Sequence, residues 1–361
     1  MLEFGRSHDL CEIEKIRNDR HPIYIYGNGI FAGYVRNKLE QNNICVAGII
    51  VDDEYWTPGS SIRKVTEMIE SGVDYSVVIG IESLCNCSSQ IKKLFINCCE
   101  IYSLMGVYDT LVESITMEDY ENNKDDYESV FDKLKDEESR EVYRDYLLSK
   151  IEEDNKYIVR HFKSDSYFLE KPFWKFDDNE TFLDAGAYDG DTVISFIRTV
   201  GLRYKRIFAI EPDGITMTRL KHNTSEFENI AYYENVLGDQ NKKIGFSADG
   251  NLTSRIDDSA DTLIEMRTID SIVGEERVSV IKMDIEGAEK IALIGASETI
   301  RRDHPLLFIC IYHKKDDAYQ VMNIIDSYYS GYHYFMRTHH PVGPLDVVLY
   351  AIPDERLVYG D

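Results

Sequence analysis

No apolar run in this 361-residue chain approaches the ~20 residues needed to span a bilayer. Met1–Arg20 alternates charge with isolated apolar residues and lacks the continuous apolar stretch of a secretory signal. Cytoplasmic residence without a membrane span is therefore the default expectation. Bases are scarce: 40 Lys and Arg face 65 Asp and Glu, a formal net charge of -25. Nucleic acid and anionic lipid both need cationic surfaces, so both are disfavoured as partners, whereas a local basic pocket for a small phosphorylated molecule is not. The seven cysteines include no CxxC pair. No zinc-ligand spacing is present, no metal is expected, and reduced, mostly buried thiols are. Cys85 and Cys87 flank an asparagine and are assigned no role. Internal repeats and low-complexity tracts are also missing.

The length suits two domains of roughly 100–200 residues each. Apolar residues make up 43% and charged residues 29%, as in an ordinary globular protein. In residues 1–112, strands are predicted at His21–Tyr26, Ile44–Val51, Tyr75–Ile81 and Ile101–Val107. Helical patterns lie between them, through Phe31, Val35 and Leu39, over 62–70 and over 89–99. Alternating strands and short helices imply a parallel sheet in a small Rossmann-like α/β domain.

Residues 113–165 are acid-rich, with apolar residues at helical spacing (Val130, Leu134, Tyr143, Tyr146, Leu147). They read either as a connector of solvated amphipathic helices or as an oligomerisation or substrate-lid element. From 166 to 361, strands are predicted at Thr181–Ala185, Arg206–Ile210, Ile230–Val236, Ser279–Met283 and Pro305–Tyr312. A terminal antiparallel pair follows at Tyr332–Arg337 and Val347–Ala351. The stretch 239–265, with Asn251, Ser254 and Arg255, reads as irregular and as a wall of an acceptor pocket. Five parallel strands and a final hairpin make this an α/β, Rossmann-like order, which resembles that of class I methyltransferases.

Three motifs carry chemistry. Asp184-Ala-Gly-Ala-Tyr-Asp-Gly190 lies between a strand and a helix. Gly186 and Gly190 let the backbone turn and approach a ligand, and the helix start offers N–H groups to a carboxylate. Asp184 adds negative charge where an ammonium would lie. Glu211 ends the next strand and suits two ribose hydroxyls, a role such an acid also plays in NAD enzymes. The loop is not the tight G-x-G-x-x-G that pyrophosphate needs, and its acidity suits a ligand carrying sulfonium and ammonium. In Ile281-Lys-Met-Asp-Ile-Glu-Gly-Ala-Glu289, Asp284 and Glu286 break an apolar strand. Such acids either serve a site or cap the helix that follows. The third motif, Gly27-Asn-Gly29-Ile-Phe-Ala-Gly33 with Asp52 beyond it, has the context of a nucleotide fingerprint. It reads as a packing scaffold, a site for a nucleotide-linked sugar, or an NAD site.

The runs DAGAYDGDT (184–192), IEPD (210–213), IKMDIEGAE (281–289) and IYHKKDD (311–317) occur in this order. With YHYFMRTHH (332–340) and VVLYAIP (347–353), they resemble the FkbM-type methyltransferases over roughly residues 160–355. That resemblance implies O-methyl transfer from S-adenosylmethionine, commonly to sugar hydroxyls. It implies that Asp184, Gly186 and Glu211 hold the cofactor and that Asp284, Glu286 and His313 face the acceptor. Tyr188, Gly190 and Asp284 join the cofactor set by their place on the same loops, and Tyr188 and Phe246 are candidates for packing near the adenosine. His313 is the expected general base, with Asp284 as its orienting partner or as the base itself. The fifth strand ends in His313-Lys314, where a hard cation would want oxygen. Lys314 and Arg337 are candidates to pair with an anionic group on the acceptor. The expected partner is a small-molecule or glycan acceptor, a sugar by the resemblance, and a homo-oligomer is left open. The rival functions are an NAD-dependent oxidoreductase acting on a sugar nucleotide and a non-catalytic nucleotide-sugar-binding protein.

Overall fold

Runs of β-branched and aromatic residues build two largely parallel sheets, flanked by helices that bury one apolar face. In this computed structural model the described residues run from 4 to 358, apart from 59, 82–96, 107–111, 165–166, 170–172, 248–254 and 257–262. Cys85, Cys87, Asn251 and Ser254 lie outside them. Among the described residues, no helix is long and apolar enough to cross a membrane.

The chain opens with a helix that the sequence reading did not anticipate, α1 (His8–Asn18), capped by the Ser7 hydroxyl, which accepts from Leu10 N–H. There follow β1 (Ile23–Tyr26), α2 (Ile30–Gln41), β2 (Val46–Val51), β3 (Arg63–Lys64), α3 (Val65–Ser71), β4 (Tyr75–Ile79) and β5 (Cys98–Tyr102). The strands join in the order β3-β2-β1-β4-β5, each pairing parallel. Helix α2 buries Phe31, Ala32, Val35 and Leu39 against this sheet, the face that the sequence spacing predicts. Two details differ from expectation. A short edge strand precedes the helix expected over 62–70, and the last strand lies at Cys98–Tyr102, earlier than Ile101–Val107.

Helices α4 (Met117–Asn122), α5 (Lys124–Lys133), α6 (Glu137–Glu152) and α7 (Lys156–Val159) cover 117–159. They are not a solvated connector. Val130, Leu134, Val142, Tyr143, Tyr146 and Leu147 are buried in the larger core. Their outward faces keep most of the acids, Asp145 and Glu152 excepted, which is why composition alone suggested a solvated segment.

The second sheet is built from β6 (Glu180–Ala185), α8 (Asp191–Val200), β7 (Tyr204–Ile210), α9 (Gly214–Asn223) and β8 (Ile230–Tyr233). The chain then forms β9 (Val236–Leu237), β10 (Lys242–Ser247), β11 (Arg255–Ile256), β12 (Leu263–Arg267) and α10 (Ile269–Val273). It returns through β13 (Val280–Met283), α11 (Glu289–Ile294), α12 (Ser297–Asp303), β14 (Leu306–Cys310) and α13 (Asp317–Tyr328). The hairpin β15 (Tyr332–Thr338) and β16 (Val347–Pro353) closes the fold. The order is β15-β16-β14-β13-β6-β7-β8, with β16 antiparallel to both neighbours and the rest parallel. The stretch expected to be irregular instead contributes to a small sheet, β11-β10-β12-β9. Its strands mix Lys, Gly and Glu with apolar residues, which hid the alternation.

The order in which strands are added to the second sheet reverses between β6 and β13, which run parallel. In open α/β sheets, ligands bind beyond the carboxyl ends of strands at such a point. The Asp184 loop and Asp284 both stand there, because Lys282 pairs with Asp184 and Met283 with Ala185 in the ladder.

Candidate functional site

The loop after β6 is shaped by contact with its neighbour. Gly186 has φ +76, and a Cβ there would lie 1.9 Å from the Asp284 carbonyl oxygen. Only glycine allows these two strand tips to touch. Gly190 has φ +93 and precedes α8; a Cβ there would meet Thr224 at 2.9 Å. Between them Tyr188, a non-glycine residue at φ +43, is half-buried. Such conformations concentrate at functional sites.

Asp184 is fully buried. Lys282 Nζ stands 3.2 Å from its Oδ1 and donates to the Gly186 carbonyl at 2.7 Å. Among the described residues no donor is aligned on either Asp184 oxygen. Burial, partly offset by Lys282, lifts the Asp184 pKa to about 6. Glu211, at the tip of β7, is 8% exposed and accepts N–H bonds from Tyr188 (3.2 Å) and Asp213 (2.9 Å). Burial lifts its pKa to about 7. Two buried acids held near neutrality, one without an aligned donor, fit a ligand that brings positive charge and hydroxyl donors.

The second half of the site centres on His313, which is fully buried. Its Nδ1 lies 3.1 Å from Glu289 Oε1; its Nε2 lies 3.1 Å from Glu286 Oε2 and 3.7 Å from Asp284 Oδ1. Burial disfavours the charged ring, yet Glu289 and Glu286 overcome it and hold the pKa well above the usual histidine range. Carboxylates on both sides of the ring thus favour its protonated form, although among the described residues no hydrogen bond is aligned on either nitrogen. Asp284 accepts from the Tyr167 and Tyr312 hydroxyls, both at 3.1 Å. Burial would raise its pKa, but Lys282, His313 and those hydroxyls keep it low. Its side chain retains 22% exposure, and that of Glu286, at φ +57, retains 30%. The open groups here are carboxylates and the closed one is the imidazole.

The structure thus brings Asp184, Gly186, Tyr188, Gly190, Glu211, Asp284, Glu286 and His313 to one edge of one sheet. Sequence reasoning missed Lys282, Glu289, Tyr167 and Tyr312. Lys282 and Glu289 lay within the quoted run 281–289, and a lysine inside a buried strand was a readable signal. Tyr167 precedes β6 by a loop and carried none. Arg337 is not available to an acceptor: it is 6% exposed and bound to Asp136 (2.7 Å) and Glu138 (3.1 Å). Lys314 stands 3.4 Å from Glu113. The side chain of Phe246 lies outside the description.

The loop after β1 differs. A Cβ at Gly27, φ +114, would lie 2.7 Å from the Gly80 carbonyl, so this glycine serves contact between β1 and β4. Gly29 meets nothing within 4 Å. Asp52 accepts from the Tyr26 hydroxyl at 2.7 Å. These contacts supply the packing role for Gly27 and leave Asp52 a local partner.

Residues 184–337 match the family model described as the methyltransferase FkbM domain. A 2-O-methyltransferase, NoeI, from Sinorhizobium fredii is 28% identical over 159 residues, covering 37% of this chain and 62% of that protein. The chain thus spans less than two thirds of that relative. The crystal structure of methyltransferase FkbM from Methylobacillus flagellatus KT superposes with a TM-score of 0.75 at 21% identity, over 96% of this chain and 94% of that one. The shared fold therefore extends over both sheets.

Proposed function

We propose, from the match of residues 184–337 to the methyltransferase FkbM domain, that the chain is an S-adenosylmethionine-dependent O-methyltransferase acting on a sugar hydroxyl. The observation that carries the cofactor half is the pair of buried acids, Asp184 and Glu211, on neighbouring strand tips with pKa values lifted to about 6 and about 7. Glu211 would take the ribose hydroxyls, and Asp184 with Lys282 would fix the polarity around the methionine end. Gly186, Tyr188 and Gly190 would shape the loop around the ligand. The likeness to a 2-O-methyltransferase supports a hydroxyl acceptor, and the open carboxylates, which suit a polyhydroxylated ligand, support a sugar. We take 1–112 and 166–361 as two domains, with the helices of 113–165 built onto the second.

When bound, S-adenosylmethionine supplies an electrophilic methyl: the acceptor oxygen forms the new C–O bond as the C–S bond breaks and a neutral thioether leaves. The hydroxyl proton becomes strongly acidic as its oxygen is alkylated, so a carboxylate of low pKa suffices to take it. Asp284 is that group, oriented by Tyr167 and Tyr312. His313, whose Nε2 faces Asp284 and Glu286, would hold those carboxylates in place. This assigns the base to the second of the two roles open to Asp284 from sequence. A base so placed contributes roughly 10²–10⁴-fold.

Incubation with labelled methyl donor and a panel of nucleotide-activated sugars tests the reading. A methyl mass shift on one sugar is expected; methylation confined to non-sugar acceptors would remove the sugar assignment.

A further inference from the structure

At the amino edge of the first sheet, opposite the edge of Gly27 and Asp52, three segments bring a thiol, an imidazole and a carboxylate together. His21 precedes β1, Asp74 precedes β4, and Cys99 lies in β5. Because β1, β4 and β5 are adjacent and parallel, their amino ends share one edge. His21 Nε2 stands 3.5 Å from Cys99 Sγ. One ligand atom from each of His21, Asp74 and Cys99 falls within 4.8 Å of the other two.

The other ring nitrogen of His21 is already committed. Nδ1 lies 2.7 Å from Asp19 Oδ1, which also accepts the His21 backbone N–H at 2.9 Å. The second Asp19 oxygen accepts from the Tyr102 hydroxyl at 2.9 Å. This network places the proton on Nδ1 and turns the Nε2 lone pair toward the thiol. A carboxylate behind a histidine is the usual support for a metal ligand.

We propose that His21 Nε2, Cys99 Sγ and an Asp74 carboxylate oxygen form a site for one zinc-class divalent cation, with Asp19 orienting His21. Zinc bonds of about 2.3 Å to sulfur and about 2.0–2.1 Å to nitrogen, at a tetrahedral angle, put the two donors about 3.5 Å apart. A plain thiol–imidazole hydrogen bond has similar reach, but it needs neither a third donor nor a carboxylate behind the ring. The thiolate and Asp74 carboxylate balance a dication, and the mixed S, N and O set favours zinc over magnesium or calcium. Binding displaces the Cys99 thiol proton to solvent. Asp74 is exposed, and His21 and Cys99 are partly so, which leaves room for a water as fourth ligand. The site would pin the amino ends of three strands and is independent of the methyl-transfer reading.

The test uses the full chain, stripped with a chelator and titrated with Zn²⁺ by calorimetry and Co²⁺ by absorption. One equivalent should bind, with a thiolate-to-cobalt charge-transfer band. Cys99→Ser should abolish the band and weaken zinc by about 100-fold, and Asp19→Asn should weaken it by about 10–100-fold. Cys45→Ser, at an exposed thiol, should change nothing. Asp74→Asn, an exposed change that keeps the fold, should weaken zinc by about tenfold even if Cys99→Ser does not fold. Absence of the band in the wild type, its persistence in Cys99→Ser, or unchanged affinity in Asp74→Asn would overturn the proposal.

Discussion

Two glycine-bearing loops follow the first strands of two parallel sheets, and they look alike in sequence but not in physics. After β1, Asp52 is satisfied by Tyr26 and Gly27 is spent on contact with Gly80. Around the loop after β6 and the neighbouring tips of β7 and β13, Asp184 and Glu211 are buried with raised pKa values, and Asp284 and Glu286 face a buried histidine. A fingerprint marks where a ligand would sit; buried acids with raised pKa values mark where a cationic or hydroxyl-bearing one would be stabilised.

The sharpest way to break this contrast is to place a methyl group in each loop. Gly186→Ala forces a Cβ to 1.9 Å from a backbone oxygen and should cost about 4 kcal/mol or more, or abolish folding. Gly29→Ala meets open space at ordinary extended φ and should stay within about 0.5 kcal/mol in denaturant melts. Equal effects would erase the distinction.

Chemistry should separate the two edges next. Asp284→Asn should lower turnover by roughly 10²–10⁴-fold with cofactor affinity nearly unchanged, whereas Asp52→Asn should leave turnover intact. For binding, Glu211→Ala should weaken S-adenosylmethionine by about 100-fold, through loss of charged acceptors for the ribose. The pH dependence is smaller. Asp184 and Glu211 have raised pKa values and ionise between about pH 6 and 7. A cationic ligand prefers them ionised, so affinity should rise roughly tenfold from pH 6 to 8, with protons released on binding. S-adenosylhomocysteine, lacking the sulfonium, should show a shallower slope.

Smallest is the effect on stability. The folded-state pKa of His313 is raised, so its contribution is fully present below the unfolded value and is lost as pH rises through the folded one. Glu289→Gln should move that loss to lower pH in thermal melts.

Much of this was legible beforehand. The strand–loop–helix periodicity located β6, β7, β13 and β14 and their acids, because buried parallel strands read as apolar runs. Residues 113–165 were harder: most of their acids are at least partly exposed while Tyr143, Tyr146 and Leu147 join the core, and composition averages the two faces. The small sheet of β9–β12 was hidden by polar and glycine residues. His313 was singled out in the sequence, but its raised pKa depends on Glu289, which only the fold places beside Nδ1. The cysteine count offered no zinc site because the donors His21, Asp74 and Cys99 come from three separate segments.

Calorimetric titration of the purified chain with S-adenosylmethionine and S-adenosylhomocysteine at pH 8 tests the central claim most directly. Saturable binding of both at one site, weakened in Glu211→Ala and unaffected in Asp52→Asn, is the predicted result. No heat of binding for either compound, or binding that follows Asp52 instead of Glu211, would contradict it.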